Sequence, residues 1–143
     1  MVNPEKEVPC QELCEILKKL GYPQEGGGWY WAKWYEDDGY SLIFSDDGRI
    51  FHDVIDGEII PLRAPVEKIK APTSPEMERW FLAGTIMKTK TWESCYIIFD
   101  DGLNVEVVRE FVSRGSIEAN AFAKMLIKNI HKGRIRFTKE EEK

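Results

Sequence analysis

The stretch WYWAKWYEDDGYSLIFSDDGRIFHDVIDGEII, Trp29–Ile60, decides the fold. Apolar and aromatic runs of strand length are separated by EDDG, SDDG and DG. Asp-Gly pairs tolerate the positive φ that tight hairpin turns require, so they mark chain reversals between strands. The short spacing predicts an antiparallel meander. It continues into EIIPLRAPVEKIK, where Pro61 and Pro65 cannot donate ladder hydrogen bonds and make the last segment an edge or an irregular crossing.

Outward from this stretch the period changes. Cys10, Leu13, Cys14, Leu17 and Leu20 recur at helical spacing, Ile16 widens the stripe, and Lys18, Lys19 and Gly21 give a C-terminus. Downstream, APTSPEMERWFLAGTI restarts helical spacing, with Thr73 or Ser74 as cap, Pro75 in the first turn and Met77, Trp80 and Phe81 facing a core until Gly84 weakens the pattern. SCYIIFDDGLNVEVVRE predicts a second hairpin around Asp101-Gly102. SIEANAFAKMLIKNIHKG predicts a long helix capped by Ser116 and stopped by Gly133, with Ala119, Phe122, Ala123, Leu126 and Ile130 on one face. The expected fold class is α+β: one antiparallel sheet of about five or six strands with three flanking helices. Residues 1–137 form the expected domain and residues 138–143 a charged flexible tail.

A chain of 143 residues is long enough to bury a sufficient core without a metal or disulfide staple. The three cysteines read as reduced thiols, because Cys10 and Cys14 at i, i+4 on a helix are poorly placed to bond each other. No apolar run approaches a membrane span and MVNPEKEVP does not read as a signal peptide, so a cytoplasmic location and no membrane partner are expected. A net charge of −5 opposes nonspecific binding to nucleic acid.

The segment GGGWYWAKWY, Gly26–Tyr35, offers the most conspicuous candidate site. A phosphate loop needs glycines followed by Lys-Ser/Thr and a helix, whereas here a strand follows, so the glycines read as a flexible connector. On a strand Trp29, Trp31 and Tyr35 share one face while Tyr30 and Trp34 share the other. One face is expected in the core and the other is the candidate recognition surface, for a protein or for stacking a base. The acidic pairs Asp37/Asp38, Asp46/Asp47 and Asp100/Asp101 lack calcium-loop spacing and read as turn chemistry. His52 beside Asp53, His131 and Cys95 form no local catalytic or zinc motif. Lys124, Lys128, Lys132, Arg134 and Arg136 make a second candidate, a basic patch at the C-terminal end, alongside His131 and Lys139.

Two segments resemble a group of small uncharacterised bacteriophage and prophage proteins. ELCEILKKLGYPQEGGGWYW, Glu12–Trp31, is similar to the opening ELxxxLKxLGxPQExxxYW of that group. EANAFAKMLI, Glu118–Ile127, is similar to its ADALAKMLI-like closing helix, and Ala71-Pro72-Thr73 matches its APT step. The resemblance implies a phage or mobile-element origin and one α+β domain, and it implies no activity and no catalytic residues. The triple glycine and the aromatic meander depart from the group's pattern. The expected function is therefore non-enzymatic binding of a host or phage protein, as a counter-defence (anti-CRISPR-like) inhibitor or other host-interaction factor, with no cofactor and no metal. The alternatives are a small metal-dependent nuclease or phosphodiesterase using the Asp pairs with His52, and a nucleotide-binding module built on the aromatic strand.

Overall fold

The computed structural model describes residues 7–36, 39–81, 85–111 and 116–137. Its elements in chain order are α1 (Gln11–Lys19), β1 (Gly28–Lys33), β2 (Ser41–Ser45), β3 (Phe51–Ile55), β4 (Glu58–Leu62), β5 (Glu67–Ala71), α2 (Ser74–Glu78), β6 (Thr85–Lys90), β7 (Ser94–Asp100), β8 (Val105–Phe111) and α3 (Ile117–His131). A short 3₁₀ turn, Arg79–Phe81, extends α2. The α+β class and the three helices agree with the sequence. The strands differ: eight are present among the described residues, in three antiparallel sheets ordered β2-β1-β5, β3-β4 and β6-β7-β8, rather than in one sheet.

The three kinds of Asp-Gly turn explain that division. Asp56 and Gly57 both take positive φ, 54° and 82°, and close the tight β3–β4 hairpin with Ile55 opposite Glu58. At Asp101 the loop is longer; its carboxylate accepts from the N–H groups of Leu103 and Asn104 at 2.9 and 2.7 Å before β8 returns along β7. At Asp46-Asp47-Gly48 the chain does not return at all. The Asp47 carboxylate accepts from the Arg49 and Ile50 N–H groups, the Ser45 hydroxyl donates to Ile50 O at 2.8 Å, and the chain is sent across toward Tyr30. β3 therefore leaves the meander, and β5 fills the vacant side of β1, pairing Trp29 with Ala71 through Lys33 with Glu67. Pro61 sits in β4, opposite His52 in a two-stranded hairpin where every strand is an edge, and Pro65 lies in the crossing to β5.

Helix α1 joins two apolar clusters. Its Leu17 enters the larger one, with Met77, Phe81, Ile97, Phe99, Phe122, Met125 and Leu126, between the helices and the inner face of β6-β7-β8. Its Cys14 enters the smaller one, with Val8, Ile69 and Ala71, against which Trp29, Trp31, Tyr40 and Leu42 pack. The capping expected from the sequence is present: the Ser116 hydroxyl accepts from the Ala119 N–H at 3.1 Å, and the Glu76 carboxylate accepts from the Thr73 N–H at 2.9 Å. Helix α2 is shorter than its sequence pattern, and Gly84 and the tail 138–143 lie outside the described residues. The cysteines are free thiols, and no helix among the described residues is long and apolar enough to cross a membrane.

Candidate functional site: the aromatic strand and its groove

Strand β1 keeps the alternation expected of it as far as Lys33. Tyr30 and Ala32 are fully buried on one face, while Trp29 and Trp31 lie half-buried on the other. Both faces are thus covered. Trp31 Nε1 donates to Pro9 O at 3.4 Å, and Trp29 meets Phe44 of β2 edge-on, centroids 5.4 Å apart. Tyr30 and Trp34 both pack edge-on against Phe51 of β3, at 5.8 and 6.2 Å, so the separate β3-β4 hairpin closes the face that a continuous meander would have left open.

The Tyr30 hydroxyl donates to Gly26 O at 2.6 Å, and burial pushes its pKa up to about 12. The ammonium groups of Lys68 and Lys70 stand 5.3 and 4.9 Å from its ring centre. Lys70 is itself buried; it donates to Gly27 O at 2.5 Å and lies 3.7 Å from the Glu76 carboxylate. Burial holds its ammonium below the usual lysine range, with Glu76 opposing. This packing adds a steric role to the glycines, which the sequence reads as a flexible connector. At Gly28, φ 136°, a Cβ would come within 2.7 Å of Lys70 Nζ. Gly28 thus leaves room for a buried cation, while Gly26 and Gly27 are exposed.

Past Lys33 the aromatics reach the surface. Trp34 Nε1 donates to Arg63 O at 2.7 Å, and the Arg63 guanidinium stands 4.7 Å from the ring centre of Tyr35, which is 59% exposed. These residues border a groove of about 510 Å³ between the β1–β2 end and the β3-β4 hairpin, whose walls include Leu42, Ile43, His52 and Asp53. The groove combines an apolar floor, an exposed ring, a cation, an imidazole and a carboxylate, the composition of a recognition site. Of the five aromatic candidates, Trp34 and Tyr35 line it, whereas Trp29 and Trp31 pack against the cluster around Val8 and Cys14 and Tyr30 is buried against Phe51. Arg63 was not legible as a site residue; its segment PLRAPV carries no local motif, and only the crossing after β4 delivers it to Tyr35.

The basic candidates mostly face acids of β8. Lys124 pairs with Glu110, Lys132 with Glu106, and Arg134 Nη1 lies 3.9 Å from Glu106 and donates to Asn129 Oδ1 at 3.1 Å. Lys128 reaches Val107 O at 3.5 Å, and Arg136 is exposed. Glu106 and Glu110 are both 6% exposed, and the Lys132 hydrogen bond is the largest influence holding the Glu106 carboxyl below the usual glutamate range. This arrangement ties α3 to β8 and leaves less cationic surface than the composition suggests. Asp47 and Asp101 are held below the ordinary carboxylate range chiefly by the turn N–H groups of Ile50 and Leu103. Asp37 and Asp38 lie outside the described residues. Among the described residues no three His, Cys, Asp or Glu side chains gather as a metal site, and His131 is exposed at the end of α3.

No family model matches the chain, and searches of the curated proteins and of the solved structures return no match.

Proposed function

We propose that this chain is a non-enzymatic binding protein of phage or mobile-element type that recognises a host or phage protein through the groove at Trp34, Tyr35 and Arg63. The observation that carries this reading is the Tyr35 ring, exposed beneath the Arg63 guanidinium at 4.7 Å at the mouth of a groove of about 510 Å³. Tyrosine, tryptophan and arginine supply most hot-spot energy in protein interfaces, and here Trp34 is held rigidly by its bond to Arg63 O. The partner would present an apolar side chain to the floor and a carboxylate to Arg63. The resemblance of Glu12–Trp31 and Glu118–Ile127 to phage proteins supports the origin, and a counter-defence inhibitor or other host-interaction factor in the bacterial cytoplasm is the role it suggests.

The test is affinity capture from bacterial lysate, followed by calorimetry with the purified partner. A one-to-one complex lost in Tyr35→Ala and Arg63→Glu supports the proposal. A partner bound equally well by both variants removes the groove from it.

The Tyr35–Arg63 stack also favours a second reading, a nucleotide module in which a base stacks on the exposed ring. Titration with mononucleotides and cyclic oligonucleotides separates the two, since the protein-binding reading expects no heat there.

A further inference from the structure

We infer that the outer face of the β6-β7-β8 sheet is a self-association surface, whose occupant is a second copy of this chain. α3 covers the inner face, where Cys95, Ile97, Phe99 and Val108 are buried. The opposite face presents Met87, Ile98, Val105, Val107 and Phe111, of which Met87 is 58%, Val105 60%, Val107 47% and Phe111 56% exposed. No described element lies across it. Together with Tyr96 and the stem of Arg109 it offers on the order of 700 Å² per copy, and the hairpin tips Trp92 and Leu103, 91% and 92% exposed, extend this to about 1,000 Å². Stable interfaces bury roughly 800 Å² per partner, so a second copy of this face supplies what is needed.

The register shows why the partner is the same face. Met87, Ile98 and Val107 form one row across the strands. The next row on one side is Thr89, Tyr96 and Arg109; on the other side lie Asp100 and Val105. The Arg109 guanidinium stacks 4.9 Å from the Tyr96 ring centre and 4.2 Å from that of Phe111, so it is held on the face. A two-fold axis along the Met87–Ile98–Val107 row lays the Arg109 row of one copy over the Asp100 row of the other. Arg109 then lies over the partner copy's Val105, displaced sideways by about one strand spacing, ~4.8 Å, from its Asp100, and the long arginine side chain spans the roughly 10 Å between stacked sheets to reach that carboxylate. The same rotation brings Trp92, at one end of the sheet, beside the Leu103 at the other end of the second copy. The alternative axis, along the strands, leaves both arginines on one row without an acid. Charge therefore selects the first arrangement, two sheets stacked in aligned packing.

Sedimentation equilibrium of the full chain from micromolar to millimolar concentration tests this. The expected result is a reversible dimer that Val107→Glu abolishes without altering the circular dichroism spectrum. Arg109→Glu and Asp100→Arg should each weaken association on the order of tenfold, and the combined swap should recover it. Because Asp100 Oδ1 also accepts from the Gly102 N–H at 2.8 Å, Asp100→Asn, which keeps an acceptor, controls for folding. A chain that stays monomeric throughout, a dimer indifferent to Val107→Glu, or a swap no tighter than its single variants overturns the proposal. Groove variants at Tyr35 and Arg63 should leave the dimer intact, so this test and that of the groove fail independently.

Discussion

Gly48 sits directly beneath the Tyr30 hydroxyl: a Cβ there would overlap the Tyr30 oxygen and come within 2.7 Å of Gly26 O, the acceptor of that hydroxyl. The contact packs the SDDG turn against the glycine segment and, with the Asp47 and Ser45 hydrogen bonds, holds the crossing at Asp46-Asp47-Gly48 in place.

Gly48→Ala should therefore destabilise the protein by about 2–4 kcal/mol, since it adds both overlap and strain at φ 78°. Tyr30→Phe, which loses one hydrogen bond to a backbone carbonyl, should cost about 1 kcal/mol. The double variant should be destabilised by less than the sum, because removing the hydroxyl makes room for the new methyl. Denaturant titrations of the four proteins decide it, and strict additivity would sink the explanation.

Glu106 links stability to pH. Its folded carboxyl is held below its ordinary value of 4.5, first by the Lys132 hydrogen bond. A carboxyl depressed on folding contributes stability that is present above 4.5 and lost as the pH falls through the folded value. Glu106→Gln should lower stability at neutral pH and flatten the loss below about 4.5. Urea titrations from neutral to acid pH would show it; parallel curves for variant and parent contradict it.

Tyr35 and Trp34 should separate binding from folding. Tyr35 is 59% exposed, so Tyr35→Ala should change stability by no more than about 0.5 kcal/mol while weakening the partner complex on the order of tenfold. Trp34→Ala loses the bond to Arg63 O and the edge contact with Phe51, and should lose about 2–3 kcal/mol of stability. Thermal denaturation beside calorimetry checks both, and a Tyr35→Ala variant as unstable as Trp34→Ala would refute the division.

Ser116 caps α3 through the Ala119 N–H. Ser116→Ala should cost about 1 kcal/mol, and Ser116→Asp should retain most of the stability because its carboxylate accepts the same N–H at the positive end of the helix. Equal losses in the two variants, measured by chemical denaturation, would show that the hydroxyl is not acting as a cap.

The helices and most strands were legible because their signals are local. Cys14 and Leu17 repeat at helical spacing, Ser116 and Thr73 stand where caps belong, and Tyr30 and Ala32 alternate with Trp29 and Trp31 as a strand demands. The candidate site was legible only in part. Trp34 and Tyr35 were visible as surplus aromatics, yet their groove partners His52, Asp53 and Arg63 come from β3 and from the crossing after β4, distant in sequence. The basic stretch misled for a related reason: its partners Glu106 and Glu110 flank Val108 on one face of another strand, and only the packing of α3 on β8 brings them together.

The residue pattern by itself determined the three helices and the strands beside the Asp-Gly turns, since periodicity, caps and turns act over a few neighbours. It did not show β6, whose Thr85 and Ile86 end the helical pattern APTSPEMERWFLAGTI, nor the split of EIIPLRAPVEKIK into β4 and β5. The tertiary structure decided which turn became a hairpin and which a crossing, and so how eight strands divide among three sheets. That choice rests on contacts such as Gly48 beneath Tyr30 and Lys70 against Gly28, where space and a buried charge are satisfied only by residues far apart in the chain.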